Sequence, residues 1–373
     1  MTTANALYAA RFSDHIPIVF PFRAISGQLG GHDHDIAVSD VFDLDRLALT
    51  LGQPIVELHE LRQYDNQPDH LKSVIYDGEA ITGGDKLGCY TWGQWFGDTG
   101  VELFRFRDAS WTPLPRSIYA VGQPGQHASF ISDIVKFSRF IADAQSVPEE
   151  SLQMLGTLSV PNPEVLPDPQ VFCVDNIYWE LEQPERWDLH AEWREGGGVW
   201  GTIARHMRFQ PALIRLADDY LRYTFGLGPG QEVPPFFAVH IRRGDFPDDW
   251  LAMSVNQWAH AAWEAMQDLK RFGIDIKHVV FTTDEQDPAW RDPLLMLGWH
   301  FVDHEVARSA ERFGYWLPTV LDTVILARAT GFLGSAPSTM SILAYRRVVD
   351  WNGGLGRWMN YGHEVPEGWV WAW

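Results

Sequence analysis

Cysteine is almost absent: Cys89 and Cys173 are the only two in 373 residues. That excludes a cysteine-rich scaffold and a cysteine zinc site, and leaves one disulfide or two buried free thiols equally open. No apolar run approaches the roughly 20 residues of a membrane helix, so no membrane segment is expected in this chain. The opening Met1-Thr2-Thr3-Ala4-Asn5 lacks the basic region and apolar core of a signal peptide. Positive charge is scarce, with 29 Lys and Arg against 49 Asp and Glu and a net charge of −20. A broad nucleic-acid or anionic-membrane surface is therefore excluded, and any anionic ligand must meet a local positive field. There is no P-loop, no GxGxxG turn, no GxSxG elbow and no HExxH pair. A diphosphate site without these points away from common ATPases and dehydrogenases. Internal repeats and low-complexity segments are also missing.

What is present is globular: 46% hydrophobic residues and eighteen tryptophans, in a chain long enough for two domains sharing one cleft. Ala6 to Arg11 reads as the end of a helix and Ile16 to Phe20 as a short strand. His32, Asp33, His34 and Asp35 form a polar loop; no third metal ligand is fixed by spacing, and a solvated loop is the simpler account. Asp43 reads as the N-cap of a short helix, and Pro54 to Leu58 as a strand. Gly88 to Trp95 is rich in aromatics, either as core or as a wall facing a sugar or peptide. Pro161 to Pro169 is a loop, Val171 to Val174 a buried strand, and Gly196 to Gly198 a flexible connection. Pro211 to Phe225 has helical spacing and stops at the glycines that follow.

The C-terminal third is the most regular. Strands are predicted at Phe236–Ile241, His278–Thr283, Trp299–Val302 and Gly331–Gly334, and helices at Ser254–Arg271, Leu317–Ala329 and from Ser338 through Arg347. Such alternation implies right-handed crossovers and a parallel sheet. The proposed division is an N-terminal domain, residues 1–225, and a C-terminal α/β domain, residues 226–373.

The strand Phe236–Ile241 runs into Arg242, Arg243, Gly244 and Asp245. Two guanidiniums at the carboxyl end of a buried strand need an anion or carboxylates beside them. The cluster reads as a phosphate clamp, with Asp245 holding one arginine, or as a structural Arg–Asp pair. Two more strands end in polar groups, Thr283-Asp284-Glu285 and Ser335 to Ser341, and a parallel sheet brings all three to one edge. Ser338 and Thr339 stand where a helix begins, as a plain cap or as part of an anion site. Asp284 reads as an acceptor for a base edge or ribose hydroxyl, or as the cap of the next helix. The clusters together suggest a diphosphate between arginine and a helix N-terminus.

His240-Ile241-Arg242-Arg243-Gly244-Asp245-Phe246 resembles the HxRRxDF motif of the GDP-fucose protein O-fucosyltransferase family. Thr283-Asp284-Glu285 resembles its second motif. Gly331 to Ser335 with Ser338-Thr339-Met340-Ser341 resembles its FIGSxxSTFS motif, with Met340 in place of phenylalanine. The resemblance covers residues from about 200 to 350 well, and Val41 to Glu57 is similar to fungal members. It implies an α/β, GT-B-like fold with two Rossmann-like domains facing a cleft. The implied reaction is inverting transfer of fucose from GDP-fucose to a protein or glycan hydroxyl, with no cofactor and no obligatory metal. Arg242 would contact the β-phosphate and the leaving oxygen, His240 would line the donor site, and Asp284 would lie near the guanine. Arg243, Ser338, Thr339 and Met340 complete the implied donor set, supported by Gly244 and by Asp245, which would position Arg243. The resemblance also implies the secretory pathway. The family's N-terminal glycine-rich, Asn-Gln loop has no counterpart here, so the chain is expected to be truncated or to lack part of an active site, and the alternative is a non-catalytic nucleotide-sugar or glycan-binding protein on the same fold.

Overall fold

The computed structural model describes residues 2–13, 15–22, 36–57, 60, 198–244, 253–335, 338–359, 362–367 and 369, together with the strand backbone at 90–91, 119–120, 130–131 and 171–175. The His32–Asp35 loop, Asp245, most of the aromatic stretch 88–95 and the proline-rich 161–169 lie outside the described residues. The chain divides into two units, Met1–Arg208 and Phe209–Trp373.

In the first unit, helix α1 (Thr2–Ala10) precedes β1 (Ile16–Val19). Two helices follow, α2 (Val38–Val41) and α3 (Leu44–Leu51). Asp43 caps α3 as the sequence predicts, its carboxylate accepting from Arg46 N at 3.0 Å. Gly52 ends the helix at φ 62°, a left-handed conformation that suits glycine. Strands β2 (Val56–Glu57), β3 (Tyr90–Thr91) and β6 (Val171–Asp175) join β1 in a parallel sheet ordered β2-β1-β6-β3. β4 (Tyr119–Ala120) and β5 (Phe130–Ile131) pair antiparallel. The expected flexible connection is corrected at its end: Gly198 opens helix α4 (Gly198–Thr202), which buries Val199 and Trp200. Burial of those two side chains outweighs the weak helix propensity of glycine. A single 3-10 turn, Ala204–His206, follows it.

The second unit opens with α5 (Pro211–Thr224), whose Pro211 lies in the first turn where no N–H is needed. Then come β7 (Phe236–Ile241), α6 (Val255–Arg271), β8 (His278–Thr283), α7 (Pro288–Met296) and β9 (His300–Phe301). α8 (Ser309–Phe313), α9 (Leu317–Arg328), β10 (Gly331–Ser335), α10 (Thr339–Asn352) and β11 (Leu355–Met359) complete it. Ser254 and Gln257 form a reciprocal capping box at the start of α6. The strand expected over Trp299–Val302 is shorter, pairing at His300 and Phe301.

The five strands are all parallel, in the order β11-β10-β7-β8-β9. Counted from β7, that is the doubly wound order 3-2-1-4-5. β7 lies between β10 and β8 and is buried at all six positions, which is why its sequence is a continuous apolar run. Side chains alternate across it. Phe237, Val239 and Ile241 share one core with Trp258, Ala262 and Leu269 of α6 and with Val279 and Phe281 of β8. α9 packs on β7 and α10 on β10. Strand order reverses between β7 and β10, and in such sheets the crevice outside the strand ends opens there.

Candidate functional site

The motif residues converge at that reversal. β7 ends at Ile241 and β10 at Ser335, side by side. His240, 5% exposed, is hydrogen-bonded through Nδ1 to Ser341 Oγ at 2.6 Å. The next loop is fixed by Arg242 N, which donates to Ser335 Oγ at 3.1 Å. Ser335 and Ser341 are fully buried, so both hydroxyls serve to join the end of β7 to the end of β10 and the first turn of α10. Ser338 caps that helix, accepting from Ser341 N at 3.5 Å. Thr339 and Met340 form its first turn. A fourteen-residue helix therefore begins beside Arg242, with its positive dipole end at the crevice.

Asp284, at the end of β8, organises the arginine loop. Its Oδ1 accepts from Arg243 N at 2.7 Å, and its Oδ2 accepts from Gly244 N at 2.9 Å and from Arg242 Nη1. Arg242 and Asp284 are 31% and 27% exposed, so the pair reaches solvent. A Cβ at residue 244 would collide with the Asp284 carboxylate, which accounts for glycine there. Arg243 turns the other way: its Nε donates to Glu285 Oε2 at 2.8 Å and its guanidinium lies 4.3 Å over the Trp290 ring. Asp287 N and Arg243 both hydrogen-bond Glu285 and hold its carboxyl below the usual range. Burial pushes the His240 imidazole down to about 4; Asp284 opposes this and Arg242 adds to it. His240 is thus neutral at pH 7.

The sequence brings His240, Arg242, Asp284 and the serine loop to one edge, and the structure places them there. It also shows partners that the sequence does not. Glu285 is a carboxylate partner of Arg243, while Asp245, expected in that role, lies outside the described residues; the cap of α7 is Asp287, whose side chain accepts from Ala289 N at 2.9 Å. Asp284 is engaged by the arginine loop rather than by the helix that follows it. Ser335, Ser341 and Glu285 lie inside polar strand-end motifs visible in the sequence, although none carries a role of its own there; Trp290 has no signal in the sequence.

Two α/β units with parallel sheets, the second doubly wound with polar strand ends gathered at its switch point, define an α/β, GT-B-like fold. The chain is similar in structure to POFUT1 in complex with GDP-fucose. One crystal form gives a TM-score of 0.54 at 12% identity, covering 97% of this chain and 93% of that one. A second gives 0.50 at 13% identity over 95% and 93%. The likeness therefore spans both units, at the level of fold. No protein-family model and no curated protein matches the sequence.

Proposed function

We propose that the chain is a fucosyltransferase that moves fucose from GDP-fucose to a hydroxyl of a protein or glycan, with inversion and without an obligatory metal. The observation that carries this reading is the tie between strand ends at the switch point: His240 to Ser341 and Arg242 N to Ser335, beside the N-terminus of α10. The structures this fold resembles hold GDP-fucose.

In this reading the pyrophosphate lies between the Arg242 guanidinium and the first turn of α10, where Ser338 and Thr339 meet it. An acceptor oxygen forms a bond to the anomeric carbon while the bond from that carbon to the β-phosphate oxygen breaks. The electron pair stays on GDP, and Arg242 stabilises the charge that develops there. Asp284 holds Arg242 in place, and neutral His240 lines the site without adding a second buried cation. Met340 stands where an aromatic residue would pack near the donor. The acceptor hydroxyl gives up its proton to a base or to water as its oxygen bonds to the anomeric carbon, and a secretory-pathway location belongs to the same reading.

Calorimetric titration with GDP and GDP-fucose, repeated on Arg242→Ala, tests it. Both ligands are expected to bind the parent chain. The variant is expected to bind on the order of 100-fold more weakly, the usual cost of truncating one partner of a partly desolvated charge pair. A parent chain that binds neither ligand, or a variant that binds as tightly as the parent, overturns the assignment.

A further inference from the structure

We propose that His260, Glu264 and His363 form a divalent-cation site, best suited to zinc, that fastens the segment after β11 onto α6. His260 and Glu264 are four residues apart on α6 and so lie on one face of the helix. Gln257 Nε2 donates to His363 O at 2.9 Å and draws the segment onto that face. His363 Nε2 then lies 2.9 Å from His260 Nδ1 and 3.6 Å from Glu264 Oε2. The ligand atoms of the three residues all fall within 4.8 Å of one another.

Those spacings suit a metal. Zinc bonds of about 2.0–2.1 Å at tetrahedral angles hold ligand atoms roughly 3.3 Å apart. The two imidazole nitrogens need only part by roughly a few tenths of an ångström and Glu264 Oε2 need only close on His363 by a similar amount, while rotation of the half-exposed Glu264 side chain brings its carboxylate in from within 4.8 Å of His260. Two nitrogens and one carboxylate oxygen favour zinc over magnesium or calcium, which take all-oxygen shells. His260 is buried with its ring set by Trp369, edge-on at 4.8 Å, and by Trp263, stacked at 5.9 Å. The Glu264 side chain is 39% exposed, which gives the ion a route in and a water a fourth coordination position. No residue of the set belongs to the switch-point cluster, so the site stands apart from the proposed transfer.

The test uses the full chain without a histidine tag and Zn²⁺ as the probe, followed by calorimetry and by the visible absorption of Co²⁺ in a tetrahedral site. Glu264→Gln and His363→Gln are compared with the parent, with far-UV circular dichroism in chelator confirming that each is folded. The parent is expected to bind Zn²⁺ and to melt higher as Zn²⁺ rises. Each variant is expected to lose on the order of 100-fold in affinity, at least what losing an outer-shell partner costs, along with the Co²⁺ band. A parent that neither binds Zn²⁺ nor gains stability from it overturns the proposal. Binding that is equal in the parent and in either folded variant also overturns it, since other histidines would then hold the ion.

Discussion

The imidazole of His240 shows how one buried residue links the site to stability. Its partner is Ser341 Oγ, and burial holds its pKa at about 4 against an ordinary value of 6.5. The unfolded chain therefore takes up a proton near pH 6.5 and the native chain only near pH 4. Between those values acid favours unfolding, so this group stabilises the fold least at low pH and most above 6.5. From pH 7 to 4.5 its share of the loss is roughly 2–3 kcal/mol. His240→Gln keeps a hydrogen-bonding group toward Ser341 and removes the titration. Urea unfolding at both pH values is expected to show the parent losing more stability on acidification, by about that amount; parallel profiles would refute the assignment. A histidine at position 240 is legible as a motif residue, but its neutrality is not, because that comes from burial by helices distant in sequence. The same holds for Asp284 and Glu285, which reach the two arginines from the end of the next strand in the sheet, a pairing that no local pattern encodes.

Among the elements, β10 does most to shape the crevice, and it does so with glycine. A Cβ at residue 331 would lie 2.6 Å from Leu269 Cδ1 of α6 and from Phe237 Cδ2 of β7. One at residue 334 would lie 2.7 Å from Phe332 Cε1 and 2.8 Å from Ser341 Cβ. Gly334 thus lets the first turn of α10 come close enough for Ser341 to reach His240. Gly331→Ala and Gly334→Ala are each expected to cost about 1–3 kcal/mol through overpacking. They should differ in GDP binding, which Gly334→Ala weakens and Gly331→Ala preserves. Urea unfolding and calorimetry on both variants separate packing from the site, and equal effects on GDP affinity would contradict the argument. Elements with strong local signals were legible here: β7 and β8 as apolar runs, α6 from its helical spacing, α5 from Pro211 and its glycine stop. α7 carries Pro293 in its interior and β11 is only partly buried over most of its length, so neither has a clear periodicity. The order β11-β10-β7-β8-β9 could not be read at all, since it rests on pairings such as Gly331 with Phe237 that no local pattern encodes.

For the whole molecule, the question is what the second unit needs in order to fold. Its sheet, its flanking helices and the core around Trp258 all lie within Phe209–Trp373. A domain of that size buries roughly 70% of its unfolded surface, enough for independent stability. α5 is part of that unit. Tyr220 OH lies 2.7 Å from the fully buried Ser309 Oγ, Ser309 Oγ lies 3.0 Å from His304 Nδ1, and His304 Nε2 lies 3.0 Å from Asp322 Oδ1. Arg328 Nη2 pairs with Asp218 at 2.7 Å, and the Arg347 guanidinium lies 4.6 Å over the Phe209 ring. A fragment of residues 209–373 retains every one of these partners and is expected to unfold in one cooperative thermal transition with ordered tryptophan signals in near-UV circular dichroism. A fragment starting at residue 226 loses Tyr220, Asp218 and Phe209. Ser309 keeps His304 and Arg347 keeps the Trp351 ring, but the Tyr220 hydrogen bond, the Asp218 ion pair and the Phe209 ring contact are gone, at a cost of about 0.5–1.5 kcal/mol for the buried hydrogen bond alone. The shorter fragment is therefore expected to melt lower and with less cooperativity. If the two fragments melt alike, α5 contributes little to the fold. If neither shows a cooperative transition, the core of the second unit is not sufficient by itself.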